Sequence, residues 1–430
     1  MRFLLLVLLV SLYFPLSAQS TEERRELFDD GEYFLVREEF EEAAYNFRKL
    51  TDTDPKNSHY NFKLGECYMN IPGKEHLAIP CFEVAVKRTV DKKKYRARDF
   101  NETNAPLHAM FYLGNVYRMN GRLNDALKTY DGFVNSPLYY GNYNINVVEN
   151  EIKSCERAKV IMDSPVDAQI VPVDTSINTP ASEIHPVASS DGNTLVFVRK
   201  LKFYDAILSV TWDGTVWSQP VNLNPMIGSD GDFYPVSLSN DGNALYLVKA
   251  GQEDKDLYVS YRNNNLWGKA VSLGKWINSP FDETWASESA DGRFLWITSS
   301  RKGGQGGLDI YYSQRNQNNT WSKPKNAGKV INTPFDEESP FLSKNDSILF
   351  FSSKGHSSIG GYDIFFAVRS GKSWNAPVNI GYPVNNTHDN MGFVPGSNGR
   401  SGYYSFINIK EPGSSEDIYR ITLGSDYPLR

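Results

Sequence analysis

The chain has 430 residues, 40% hydrophobic and 22% charged, with a formal net charge of -6. At ~100–200 residues per domain this is too long for one ordinary core, and the composition is that of globular domains rather than disordered chain. The acidic balance excludes a dedicated nucleic-acid binder, which needs a basic face to displace counterions.

The chain begins MRFLLLVLLVSLYFPLSAQS. Arg2 supplies the positive start, Phe3 to Phe14 an apolar run, and the small residues before Ala18 a cleavage point, so residues 1–18 are predicted to be a secretory signal peptide. The run falls short of the ~20 apolar residues of a membrane span, and no later run is longer. The mature protein is therefore expected to be exported, periplasmic and without a transmembrane segment. Three cysteines (Cys67, Cys81, Cys155) are too few and odd in number for a disulfide framework; buried thiols are expected. No His/Cys cluster has zinc spacing.

Residues 21–164 are predicted to be helical. Gly31, Gly65 and Gly114 are each followed by an aromatic three residues later (Phe34, Tyr68, Tyr117), then by Ala43, Ala78 and Ala126, then by Phe47, Phe82 and Tyr130. Small residues let two antiparallel helices approach, and aromatics on the shared face fill the gap. Gly31 to Gly65 is 34 residues, and this spacing with these residue types resembles the tetratricopeptide repeat. The third unit is displaced by a basic, polar insertion, Thr89 to Asn104, expected either as a solvated loop or as a contact patch for an acidic partner. A last helix, NVVENEIKSCERAKVIM, is expected to cap the array.

At SPVDAQIVPV the composition turns to Thr, Val, Tyr, Trp, Gly and Asn, which reads as all-β. Related phrases begin at Ile177, Ile227, Ile277, Ile331 and Val384. Each unit carries a tight turn (SSDGN, SNDGN, SADGR, SKNDS, GSNGR) whose Asp-Gly or Asn-Gly supplies φ > 0, then an apolar alternation, then a strand headed by Asp205, Asp256, Asp309, Asp363 or Asp417. Four units close with an indole: Trp217, Trp267, Trp321 and Trp374. The fifth lacks a closing strand, whereas AQIVPV before the first unit matches one. Residues 165–430 are therefore expected to form a five-bladed β-propeller closed by a strand from its own front.

One acidic residue per unit recurs before the turn: Glu183, Asp232, Asp282, Glu337 and Asp389. Two readings stand: a ring of carboxylates on the central channel that binds a cation or cationic side chain, or carboxylates that accept backbone N–H groups and tie the blades. The heading aspartates are expected in Asx turns and the indoles in blade packing. The glycine-rich KGGQGGLDIY lacks the Lys-Ser/Thr and helix of a phosphate loop; its near-copy GHSSIGGYDIF makes it a connection between strands. The six histidines (His59, His76, His108, His185, His356, His388) are scattered and no nucleophile motif is present, so no catalytic residue, metal or cofactor is assigned.

The β units resemble WD40-like repeats of the TolB type. The order of signal, helical repeats and propeller resembles a Bacteroidetes envelope family that usually continues into an OmpA-like peptidoglycan-binding domain, one branch of which is associated with type IX secretion and gliding. The residues that carry this are the Gly65/Tyr68/Ala78 and Gly114/Tyr117/Ala126 sets, IKSCERA, INTPFDEESP and GGYDIF. The resemblance implies a non-catalytic periplasmic scaffold. It departs from the family in having no OmpA-like domain after the last blade, so an outer-membrane or secretion-machinery protein partner is expected to hold it. A glycan-binding propeller and a five-bladed glycosidase with carboxylates on different blades are the alternatives.

Overall fold

The computed structural model describes residues 20–139, 143–251, 254–264, 266–343, 345–396, 399–407 and 415–424. The leader expected over residues 1–18 lies outside the described residues. Among those described, no helix is long and apolar enough to cross a membrane.

The first part is built of paired helices: α1 (Thr21–Val36) with α2 (Phe40–Thr53), α3 (Ser58–Met69) with α4 (Glu75–Ala85), α5 (Ala109–Met119) with α6 (Leu123–Val134), and then α7 (Ile145–Met162). Caps fix their starts: Ser20 Oγ accepts the Glu23 N–H at 3.0 Å and Asn57 Oδ1 the Tyr60 N–H at 3.1 Å. Within each pair the small-residue rule holds. A Cβ on Gly31 would meet the Phe47 ring at 2.8 Å and one on Gly65 the Phe82 ring at 2.8 Å, while one on Gly114 would meet the Tyr130 ring closer still. The three cysteines are buried and unbridged.

The insertion after α4 has two different faces. Thr89–Val90 pairs in parallel with Ala105–Pro106. The Tyr95 hydroxyl lies 2.7 Å from His59 Nδ1, and Tyr60 Oη donates to the Phe100 carbonyl at 2.6 Å. Glu102, 3% exposed, accepts the N–H groups of Thr103 and Asn104 at 2.9 and 3.0 Å. One face of the segment is thus seated on α3, and the other exposes Lys92, Lys93, Lys94, Arg96 and Arg98.

The chain divides into two compact units, Met1–Leu113 with Ser136–Asn142, and Gly114–Asn135 with Tyr143–Arg430. The second unit contains the end of α5, α6, α7 and the β-propeller. Within it, Arg118 is 5% exposed, donates from Nη1 to the Thr387 carbonyl at 2.6 Å, and sets Nε 3.0 Å from Glu151 of α7. Ser154 Oγ and Arg157 Nε of α7 both donate to the Ser358 carbonyl at 2.8 Å.

The propeller has five blades, each an antiparallel sheet that starts with an inner strand: Glu183–Ala188, Phe233–Leu238, Glu283–Glu288, Glu337–Leu342 and Val394–Pro395. The middle strands, such as Thr194–Lys200 and Ile348–Ser353, are apolar and almost wholly buried, because neighbouring blades cover both faces. The hairpin turns follow their residues. Gly192, Gly242 and Gly292 take φ of +74°, +70° and +69°, and Asp346 stands at +56° where the fourth blade has no glycine. The fifth blade is completed from the front of the domain. Ala168–Pro172 pairs antiparallel with Glu416–Leu423, in a register that sets Ile170 opposite Ile421 and Val171 opposite Arg420. The fold is therefore the expected one: paired helices followed by a five-bladed β-propeller.

Candidate functional site: the propeller hub

The recurring acids occupy two register positions. Glu183 and Glu337 start their inner strands, together with Glu283. Each is fully buried and accepts the N–H and hydroxyl of a residue four before it: Thr179 at 2.9 and 2.7 Å, Ser279 at 2.7 and 2.7 Å, and Thr333 at 2.7 and 2.6 Å. Arg199 lies 2.6 Å from Glu183, and Arg301 lies 3.0 Å from Glu283. Glu337 has Ser353 at the register position of Arg199 and Gly355 at that of Arg301; His356 Nε2 instead takes the Ile331 carbonyl, as Arg199 and Arg301 take those of Ile177 and Ile277. Without that cation, burial holds Glu337 up to about 7, opposed by its hydrogen bonds from Thr333 and Ser353.

Asp282 and Asp389 occupy a second position, shared by Asp336, and reach back to the preceding blade. They accept the N–H of Lys255 at 3.1 Å and of Tyr362 at 2.7 Å, and Asp336 that of Leu308 at 3.0 Å. Asp232 pairs with Lys249 at 2.5 Å. The sequence alignment merged these two positions; Asp389 is the one of its five acids that lines the hub cavity.

The other repeated residues are also engaged in the framework. Asp309 accepts Gln305 and Gly306 N–H at 2.5 and 2.9 Å, and Asp363 accepts Ile359 and Gly360 N–H at 2.8 and 3.2 Å, so each glycine-rich connection folds over its own aspartate. Gly361 is required there, because any Cβ would run into the Asp389 carboxylate. Arg315 and Arg369 lie over Trp321 and Trp374 at 4.2 and 4.6 Å from the ring centroids.

The hub itself breaks the repeat. In four blades the inner strand carries a β-bulge just after its start, between Ile184 and Val187, Pro235 and Ser237, Glu283 and Trp285, and Glu338 and Phe341. A bulge re-aims side chains, and here it admits His185 and Ser339 at φ of +52° and +53°. The position after the strand start in four blades, Ile184, Tyr234, Thr284 and Glu338, and Met391, two places after Asp389 in the fifth, all line a cavity of about 620 Å3. No two of these residues are alike. His185, Trp285, Ser339, Lys255, Asp389 and Glu416 also line it.

Three contacts order this lining. Thr284 Oγ1 donates to Glu338 Oε1 at 2.7 Å, joining the third and fourth blades. Tyr234 Oη donates to Asp205 at 2.7 Å, and Ser405 Oγ to Glu416 at 2.8 Å. Burial holds Glu338 above the usual carboxylate range, against the Thr284 hydrogen bond and the Lys255 charge, and burial raises Glu416 likewise. His185 opens onto the cavity, and desolvation there, with the Lys200 charge, lowers it below its ordinary range, so its ring is neutral at pH 7. Trp285 Nε1 and Ser339 Oγ are buried, 6% and 2% exposed by residue, and have no hydrogen-bond partner among the described residues. Among those residues no group of three His, Cys, Asp or Glu side chains comes together as a metal site.

The sequence did not single out Glu338, Trp285, Ser339, Lys255 or Glu416. The available signal was proline inside inner strands (Pro186, Pro235, Pro340), which marks a bulge rather than a regular central strand.

No protein-family model matches the sequence, and no curated protein matches it. Solved structures resemble it at low identity. TolB from Acinetobacter baumannii is 12% identical, over 68% of this chain and 71% of that one, with a TM-score of 0.38. A putative TolB from Agrobacterium tumefaciens is 15% identical, over 60% and 98%, with a TM-score of 0.33. The α-L-arabinofuranosidase of Podospora anserina, in complex with cellotriose, is 11% identical, over 61% and 98%, with a TM-score of 0.38. These likenesses concern the fold; function rests on this chain's own residues.

Proposed function

We propose that the protein is a non-catalytic interaction scaffold of the cell envelope, exported to the periplasm and held there by an acidic protein partner. The observation that carries this is the insertion after α4. Tyr95 and Phe100 fix it to its own helices, and Glu102 orders it from within, while Lys92, Lys93 and Lys94 stand exposed in a row. A pre-ordered row of cations steers an acidic partner and costs little further ordering on binding. The resemblance to envelope proteins with helical repeats and TolB-like propellers supports the same reading, including an association with type IX secretion. Tagged full chain and a K92E/K93E/K94E variant, cross-linked in the native host, test it. A defined envelope protein retained by the parent and lost from the variant is expected; the same retained set from both refutes the assignment. Glycoside turnover by the purified chain, abolished by E338Q, refutes the non-catalytic part.

A further inference from the structure

The hub cavity is independent of the basic insertion and has chemistry of its own. The repeat spends its shared acids on the framework, yet the positions that face the hub, beside bulges in four of the blades, differ from blade to blade. Two consecutive residues from each of two neighbouring blades form one cluster: Thr284 and Trp285, Glu338 and Ser339. The 2.7 Å Thr284–Glu338 hydrogen bond holds it together. Two donors in this cluster, Trp285 Nε1 and Ser339 Oγ, are buried without a partner among the described residues. A buried donor left unpaired costs roughly 1–3 kcal/mol, so an acceptor that reached either atom from the cavity their residues line would gain that much.

The lining also sets the ligand's charge. Three carboxylates, Glu338, Asp389 and Glu416, face one ammonium, Lys255, and His185 is neutral. A cation relieves that imbalance, whereas a neutral polyol leaves it. Ile184, Val236, Val248 and Met391 supply an apolar wall. At about 620 Å3 the space lies inside the range of ligand cavities, ~300–1,000 Å3.

We propose that the hub binds the free amino end of a peptide. Glu338 takes the terminal ammonium, Trp285 Nε1 and Ser339 Oγ donate to the first carbonyl oxygens, and the apolar wall receives the first side chain. A lysine side chain offers the ammonium but no adjacent acceptor; a sugar offers acceptors but no charge.

The test uses the purified full chain and a mixture of tripeptide amides, Xaa-Ala-Ala, with the first residue varied. Retained peptides are identified by mass and titrated calorimetrically, beside their N-acetylated forms and neutral hexoses. Saturable binding of free-amine peptides is expected, lost on acetylation and weakened at least about tenfold in E338Q. S339A, which removes the hydroxyl donor and little volume, is expected to weaken binding without lowering thermal stability. Equal binding of acetylated peptides, retention of no peptide, or saturable binding of hexose in their place overturns the proposal. Each of these outcomes leaves the reading of the basic insertion untouched.

Discussion

Ring closure by the front strand predicts a large stabilisation from one cross-link. Val171 and Arg420 are both exposed and face one another in the ladder between Ala168–Pro172 and Glu416–Leu423. Opposed residues of an antiparallel pair have Cα atoms ~4.5–5.5 Å apart, within the ~4.4–6.8 Å that a disulfide spans. The V171C/R420C variant therefore forms an intramolecular bridge without moving backbone. The bridge closes a loop of 249 residues, from 420 minus 171. By the chain-entropy relation that removes about 5.5 kcal/mol of unfolded-state freedom at 25 °C, as an upper figure. The native thiols Cys67, Cys81 and Cys155 are buried and do not compete. Urea unfolding of the oxidised variant, with the same protein after reduction as its control, reads the effect. A midpoint well above that of the reduced form is expected. Bridging only between molecules, or equal midpoints, refutes the closure.

Further expectations rest on single contacts. R118A leaves Glu151 without its partner and the Thr387 carbonyl without its donor, and is expected to cost about 3–5 kcal/mol in thermal unfolding; R118M with E151L recovers most of it, and loss of under 1 kcal/mol in R118A refutes the role. G65V forces the Phe82 ring aside and is expected to cost about 1–3 kcal/mol, while a neutral effect on the melting curve refutes the close helix contact. Glu337 is held up to about 7 against an ordinary 4.5, so the folded protein keeps that proton more tightly than the unfolded chain. Its contribution to stability is fullest below about 4.5 and is lost as pH rises toward 7. E337Q is expected to flatten that descent in urea midpoints taken at pH 5 and pH 7, by at most about 1.4 kcal/mol per pH unit; parallel slopes refute it.

Architecture was legible because it repeats. Gly31, Gly65 and Gly114 with their aromatics announced the helix pairs, and the Asp-Gly turns announced the blades. The front strand was found by matching AQIVPV to the closing strands of the other units. The two acid positions were merged because Asp282 and Glu283 are adjacent, as are Asp336 and Glu337, and a period of 50 to 54 residues leaves one-residue ambiguity; only the backbone shows which carboxylate turns toward its own loop and which toward the preceding blade. The hub cluster was invisible for the opposite reason. Glu338, Trp285 and Ser339 do not recur, and they meet because bulges turn two strands together, which no spacing within the sequence records. The insertion was visible as a charge run, but its anchoring by Tyr95 and Phe100 depends on packing against a helix 36 and 40 residues earlier.

The bulged inner strands separate two kinds of constraint. A substitution at Glu183, Glu283 or Glu337 disturbs a loop that the whole ring depends on. The residues one or two places further along border the cavity at the axle, where Thr284 and Glu338 also join two blades. Side chains at the axle differ from blade to blade while the buried glutamates repeat, so what the ring presents at its centre is set apart from what closes it. An engineer wishing to redirect such a ring would rewrite the axle positions and leave those glutamates alone.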